Sequence, residues 1–274
     1  MLRRTFNRGP AQGLARRTAR IEDDAPRNHT GEHRTALFAK APPMKPLALL
    51  CIVYCLSTAR LDALAPSLPK SESTESLVFA DDFNRAKLGD GWRVSWPTFE
   101  IVDGVLKVSQ TKPAHGAVGK VVVGRKDVDV EFKFQFAGAT AINAVFDDPD
   151  YKEGHAGHIC RVALRPKQVQ VADDKERLRH EIEELRKTPE GKAEAARLTA
   201  GRSVLFPVDL KSGQWYRLRI QIRGDELSVA LDDQPLGSLK SSGIAHPKKG
   251  TFHFTVSGKD ALFDDLRISS SDPK

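Results

Sequence analysis

Cysteine is scarce in this chain. Cys51 and Cys55 lie in an apolar run near the front, and Cys160 stands alone in the rest. One thiol cannot form an internal disulfide, so the fold has to rest on a hydrophobic core; about 200 residues supply one. Long apolar runs are also missing: Leu47–Leu56 has ten residues, about half of what a membrane-spanning helix needs. No phosphate loop, dinucleotide fingerprint or nucleophile elbow occurs, so there is no nucleotide site or esterase serine of those kinds. The formal charge of +7 and pI near 9.3 raise the question of nucleic acid, but the charge is unevenly placed. Residues 1–43 hold nine Lys/Arg against four acids, leaving about +1 for residues 66–274. Nucleic-acid binding thereby loses its electrostatic support.

The front of the chain reads as processing signals. Residues 1–43 are Arg- and Pro-bearing without apolar periodicity, as expected of a disordered or mistaken upstream extension. Met44 opens a signal peptide over residues 44–65: Lys45 as the positive start, Leu47–Leu56 as the apolar centre, and Ala63-Leu64-Ala65 as the cleavage site. Ser57-Thr58-Ala59 is a second candidate site. The expectation is export to the periplasm or beyond the cell, with no membrane contact after cleavage. Residues 66–76, PSLPKSESTES, form a polar linker.

From residue 77 the period becomes two. In QWYRLRIQIRGDELSVALDDQPLGSL (214–239), Leu218, Ile220 and Ile222 alternate with polar residues. Leu227, Val229 and Leu231 do the same after Gly224-Asp225, which reads as an antiparallel hairpin with a third strand behind it. Asp103-Gly104 marks another tight hairpin. Val128, Val130, Phe132, Phe134 and Phe136 share one face, and Asp127, Asp129, Glu131, Lys133 and Gln135 the other. Such an aromatic face has to pack on a second sheet. Further strands are expected at Leu77–Phe83, Val118–Val123, Ala141–Phe146, His158–Leu164, Gly250–Val256 and Leu262–Ile268. The pattern breaks at residues 173–200, where Leu178, Ile182 and Leu185 repeat at helical spacing and Thr188-Pro189 starts a second helix. The fold class is all-β: a two-sheet antiparallel jelly-roll sandwich over residues 77–270 with a helical-hairpin insertion.

DDFNR (81–85), GWRV (91–94), VDGVL (102–106), DVDVEFKFQF (127–136) and FDDLRI (263–268) resemble the concanavalin A-like lectin/glucanase superfamily. Within it the likeness is closest to 3-keto-disaccharide hydrolase domains. The resemblance implies a carbohydrate partner and cleavage of a modified disaccharide. The strand motif Glu-x-Asp-x-x-Glu, which carries the nucleophile and acid/base of the laminarinase-type glucanases, is absent. That argues against their retaining mechanism.

The residues offer three candidate constellations. Asp147–His158, DDPDYKEGHAGH, gathers Asp147, Asp148, His155 and His158 between two strands. These can bind a divalent metal or act as general acid and base; the alternative is a solvated polar loop. No residue is assigned as a metal ligand and no cofactor is named. Arg161 lies opposite the Val162 face, placed to orient substrate or to pair with a neighbouring acid. Asp129 and Glu131, two apart on a strand, have the spacing of paired glycosidase carboxyls, or simply form a wet face. Of Trp92, Trp96 and Trp215, the first and last are expected in the core and Trp96 as a stacking platform for sugar. Two functions stand: an exported enzyme on a 3-keto-disaccharide or related glycoside, or a non-catalytic glycan-binding or cell-surface module.

Overall fold

Alternation over so many segments demands that each strand bury one face, and the computed structural model shows how. It describes residues 75–95, 98–113 and 116–272; the upstream extension, the segment read as a signal peptide, most of the segment read as a linker, and Trp96 lie outside the described residues. The strands are β1 (Ser76–Asp81), β2 (Arg93–Val94), β3 (Phe99–Val102), β4 (Val105–Ser109), β5 (Ala117–Arg125) and β6 (Val128–Asp147). After these come β7 (His158–Arg165), β8 (Gln168–Asp173), β9 (Ser203–Pro207), β10 (Trp215–Arg223), β11 (Glu226–Leu231), β12 (Gln234–Lys240) and β13 (Lys249–Ser270). Among the described residues these make one antiparallel, hydrogen-bonded sheet that folds over on itself.

Two long strands do the folding over. The sequence predicts separate strands on either side of residues 137–140 and 257–261, yet β6 runs for 20 residues and β13 for 22. Both bend instead of breaking. Gly138 has φ +103° and Gly258 φ +93°, and the ladder between the two strands slips at these positions. A Cβ at Gly258 would sit 2.7 Å from the Thr140 amide, so only glycine admits the approach. Beyond the bend, one layer has the order β2-β5-β13-β6-β7-β8-β9 and the other β12-β11-β10-β6-β13-β4-β3.

The core between the layers is aromatic. Phe132 on one half of β6 meets Phe254 on one half of β13 edge-on at 4.9 Å, and Phe254 stacks on Phe263 at 4.1 Å. The valine-and-phenylalanine stripe from Val128 to Phe136 is buried. Trp92 is buried as expected. Its indole donates to Asp81 at 2.8 Å, and Arg85 binds the same carboxylate, so DDFNR and GW pin β1 to the core. Trp215 departs from expectation at 38% exposed. Leu218, Ile220 and Ile222 face inward, so parity turns Trp215 out and gives Tyr216 its place, stacked on Phe134 at 5.6 Å.

The insertion has three helical segments where the sequence predicts two: α1 (Asp174–Arg177), α2 (His180–Leu185) and α3 (Pro189–Leu198). The helical stripe breaks at Leu178–His180 because the backbone there pairs with the 153–155 loop, His155 N–H to Leu178 O and His180 N–H to Glu153 O, both 3.0 Å. Thr188 caps α3 through Gly191 N–H at 3.0 Å, as its Thr-Pro start requires. Fully buried Asp173 caps α1 and accepts from Ser241 Oγ and from Gly243 N–H at 3.0 Å. Asp173→Ala orphans three donors, and the expected loss is about 3 kcal/mol, read as a lower urea midpoint at constant m-value.

Candidate functional site

The outward face of the β5-β13-β6-β7 layer is polar where these strands meet. Asp147 ends β6 and His158 begins β7. The crossover between them turns back through Ala156 (φ +52°) and Gly157 (φ +74°). A Cβ on Gly157 would lie 2.3 Å from Asp148 O, so this tight turn, with Asp148 N–H bonded to Gly157 O at 2.9 Å, delivers His158 to Asp147. His158 Nδ1 is 2.6 Å from Asp147 Oδ1, and Lys120 of β5 donates to Asp147 Oδ2 at 2.8 Å. His253 of β13 brings Nδ1 to 3.1 Å from Asp147 Oδ2, but off the line of a hydrogen bond, which leaves that buried nitrogen without a hydrogen-bond partner.

Asp147 is fully buried and His253 2% exposed, while the His158 side chain is 19% exposed. Burial opposes charge on Asp147, but the hydrogen bond from His158 and the attraction of both imidazoles, His158 and His253, outweigh it and hold the carboxyl far below the ordinary range. Burial pushes His253 down, against the pull of Asp147. Both shifts are depressions, so the unfolded chain binds more protons and stability falls with acid. In chelating buffer the melting temperature is expected to drop first as pH passes below about 6.5 and again below about 4, from the unfolded His and Asp values. His253→Asn should remove the first limb.

The other predicted residues separate from this centre to different degrees. His155 stands at the rim, its side chain 62% exposed and 3.9 Å from Glu183, with its ring 5.6 Å from that of His158. Asp148 is turned away into its own pair, His246 Nε2 at 3.0 Å, and holds the Asp150 amide at 3.1 Å. Arg161 shares the polar face and binds buried Asp174 through Nε at 3.0 Å. Asp129 and Glu131 lie on the other layer, facing outward. Asp129 accepts from Gln221 at 3.0 Å and from Arg223, and Glu131 from Arg219 at 3.1 Å. Cys160 is buried, and burial pushes its thiol well above the ordinary range, hence inert.

Lys120 and His253 are the residues that sequence reasoning missed. The signal was present: Phe252 and Phe254 point inward, which forces His253 to the opposite face, and Lys120 alternates likewise in β5. Asp147, His158 and His253 each offer a ligand atom, all within 4.8 Å of one another. One carboxylate and two imidazoles suit a divalent transition metal, and the orphaned His253 nitrogen fits that use.

Residues 79–269 match the family model of the 3-keto-alpha-glucoside-1,2-lyase-like domain. The chain belongs to this family. No curated protein sequence matches the chain. Solved structures confirm the fold of this lyase-like domain as the concanavalin A-like jelly roll. A sialidase superposes with TM-score 0.51 at 13% identity, over 72% of this chain and 19% of that one. The Crh5 transglycosylase gives 0.51 at 13%, over 76% and 90%. A mutant of SCLam, a non-specific endo-beta-1,3(4)-glucanase crystallised with an oligosaccharide at its active site, gives 0.50 at 11%, over 72% and 95%. The chain spans under a fifth of that sialidase chain. Among the described residues no helix is long and apolar enough to cross a membrane.

Proposed function

We propose that this protein cleaves 3-keto-glycosides by removing the proton at C2, with His158 as the base. A ketone at C3 acidifies the C2 hydrogen, because the carbanion left behind is an enolate. When the base takes that proton, the electron pair expels the C1 oxygen, which leaves with a proton as the freed alcohol or sugar. The product is a 1,2-unsaturated 3-ketone, and water added across that double bond gives hydrolysis in sum. A lyase and a hydrolase of the same substrate thus share one first step.

What carries this reading is the His158 Nδ1–Asp147 Oδ1 contact of 2.6 Å. With Nδ1–H donated to a buried carboxylate, Nε2 keeps its lone pair for the substrate. Lys120, held beside the same carboxylate, supplies a positive charge for the enolate oxygen. A second reading rests on the three converging ligand atoms: Asp147, His158 and His253 would hold a divalent cation, which when bound would polarise the C3 carbonyl. The enzyme is inferred to act outside the cytoplasm, on the strength of the signal-like segment at residues 44–65.

The test is incubation with a 3-keto-disaccharide, following aglycone release and enone absorbance, before and after dialysis against chelator. Turnover that survives chelation supports the base alone. Turnover lost and restored by one equivalent of metal supports the cation. Binding without turnover under any condition returns the protein to the glycan-binding class.

A further inference from the structure

Strand register lines up a second feature across the polar face. Arg93 of β2 pairs with Lys120 of β5, Lys120 with His253 of β13, His253 with Val145 of β6, and Val145 with Arg161 of β7. Residues paired in this way project from the same side of a sheet. The row therefore reads Arg93, Lys120, His253, Val145, Arg161, with three cations flanking the centre. The adjacent row carries Thr255, Asn143 and Ala163, which are uncharged, and Asn143 is bonded to Thr255 at 2.9 Å.

The cations differ in what neutralises them. Lys120 is matched by Asp147, and Arg161 by Asp174, which also holds Arg177 at 3.1 Å. Glu183 stands beyond β7 beside His155 and His180, at the end of the row away from Arg93. Arg93 is exposed, and among the described residues no acid pairs with it. Strands are spaced about 4.8 Å apart, which puts Arg93 about 10 Å from His253. That is the reach of a neighbouring sugar ring.

We propose that the polar face takes glycosides bearing an oxyanion, a carboxylate, sulfate or phosphate, and that Arg93 is the residue that binds it. A planar guanidinium with no acidic partner among the described residues matches such a group with two parallel hydrogen bonds. Arg93, which neither buried carboxylate neutralises, raises the local concentration of anionic substrate. The inference deepens the reading above and rests on it only for the reaction used as readout.

The experiment compares 3-keto-glucosides of glucose, glucuronate, glucose 6-sulfate and glucose 6-phosphate with wild-type protein and Arg93→Gln. Wild type is expected to favour at least one anionic glycoside over the neutral one by about tenfold in kcat/KM. Arg93→Gln should remove most of that preference, and about 0.5 M salt should shrink it in wild type. The carboxylate, sulfate and phosphate arms identify the oxyanion. Equal kcat/KM for all four glycosides, or a preference that survives Arg93→Gln, overturns the proposal. Should none be turned over, calorimetric binding of the same four to wild type and Arg93→Gln decides it alone. A preference abolished by the substitution keeps the anion site while the lyase reading falls, and equal binding removes the site.

Discussion

His158→Ala is expected to lower kcat on a 3-keto-glycoside by about 10³-fold, within the range that a positioned acid–base group contributes. The effect should fall on kcat rather than KM, because proton removal belongs to the transition state. His158 is mostly buried and hydrogen-bonded to Asp147, so the substitution also leaves a buried carboxylate short of a donor and should cost about 1–3 kcal/mol in urea unfolding; kcat is therefore read where the variant is folded. Two controls separate its role from that of its neighbours. His155→Ala removes a rim imidazole whose described contacts are a 3.9 Å approach to Glu183 and the His158 ring, and should cost less than about threefold, a far smaller share than a positioned base contributes. Added imidazole should partly restore His158→Ala if the ring acts as a base, and should not if it only holds a cation. A His158→Ala protein within tenfold of wild type would remove the residue from the chemistry.

Fold and site were legible to different depths in the sequence, for physical reasons. Period-two alternation reports which face a strand buries, so the stripe from Val128 and the hairpin at Asp103-Gly104 could be read directly. It does not report whether a glycine interrupts a strand or bends it, since both read as a lapse in pattern. Gly138 and Gly258 therefore read as strand ends in the sequence and are corners in the structure. The centre was half visible for a related reason. Asp147 and His158 lie eleven residues apart and form a local motif, whereas His253 and Lys120 reach the same carboxylate only through strand pairing. Asp148 follows Asp147 in sequence but lies just past the end of β6, in the turn that leads to His158. It serves His246 instead.

Phe254→Ala is expected to destabilise the protein by about 4 kcal/mol, in the range for deleting a buried aromatic ring. Four rings surround it: Trp92 at 6.2 Å, Phe132 at 4.9 Å, Phe252 at 5.1 Å and Phe263 at 4.1 Å. These come from both halves of the bent strands and from the Trp92 segment, so no single neighbour can relax into the void without leaving another. Stability of a domain this size is about 5–15 kcal/mol, so one ring accounts for a large share. Leu205→Ala, 54% exposed on β9, should stay within about 0.5 kcal/mol. Urea unfolding of both proteins checks this, and a loss below about 1 kcal/mol for Phe254→Ala would mean that the two layers do not close on that ring. The consequence reaches the site, because His253 is the next residue in the same strand. Anchoring by Phe252 and Phe254 on the core side is what fixes its imidazole over Asp147 on the other.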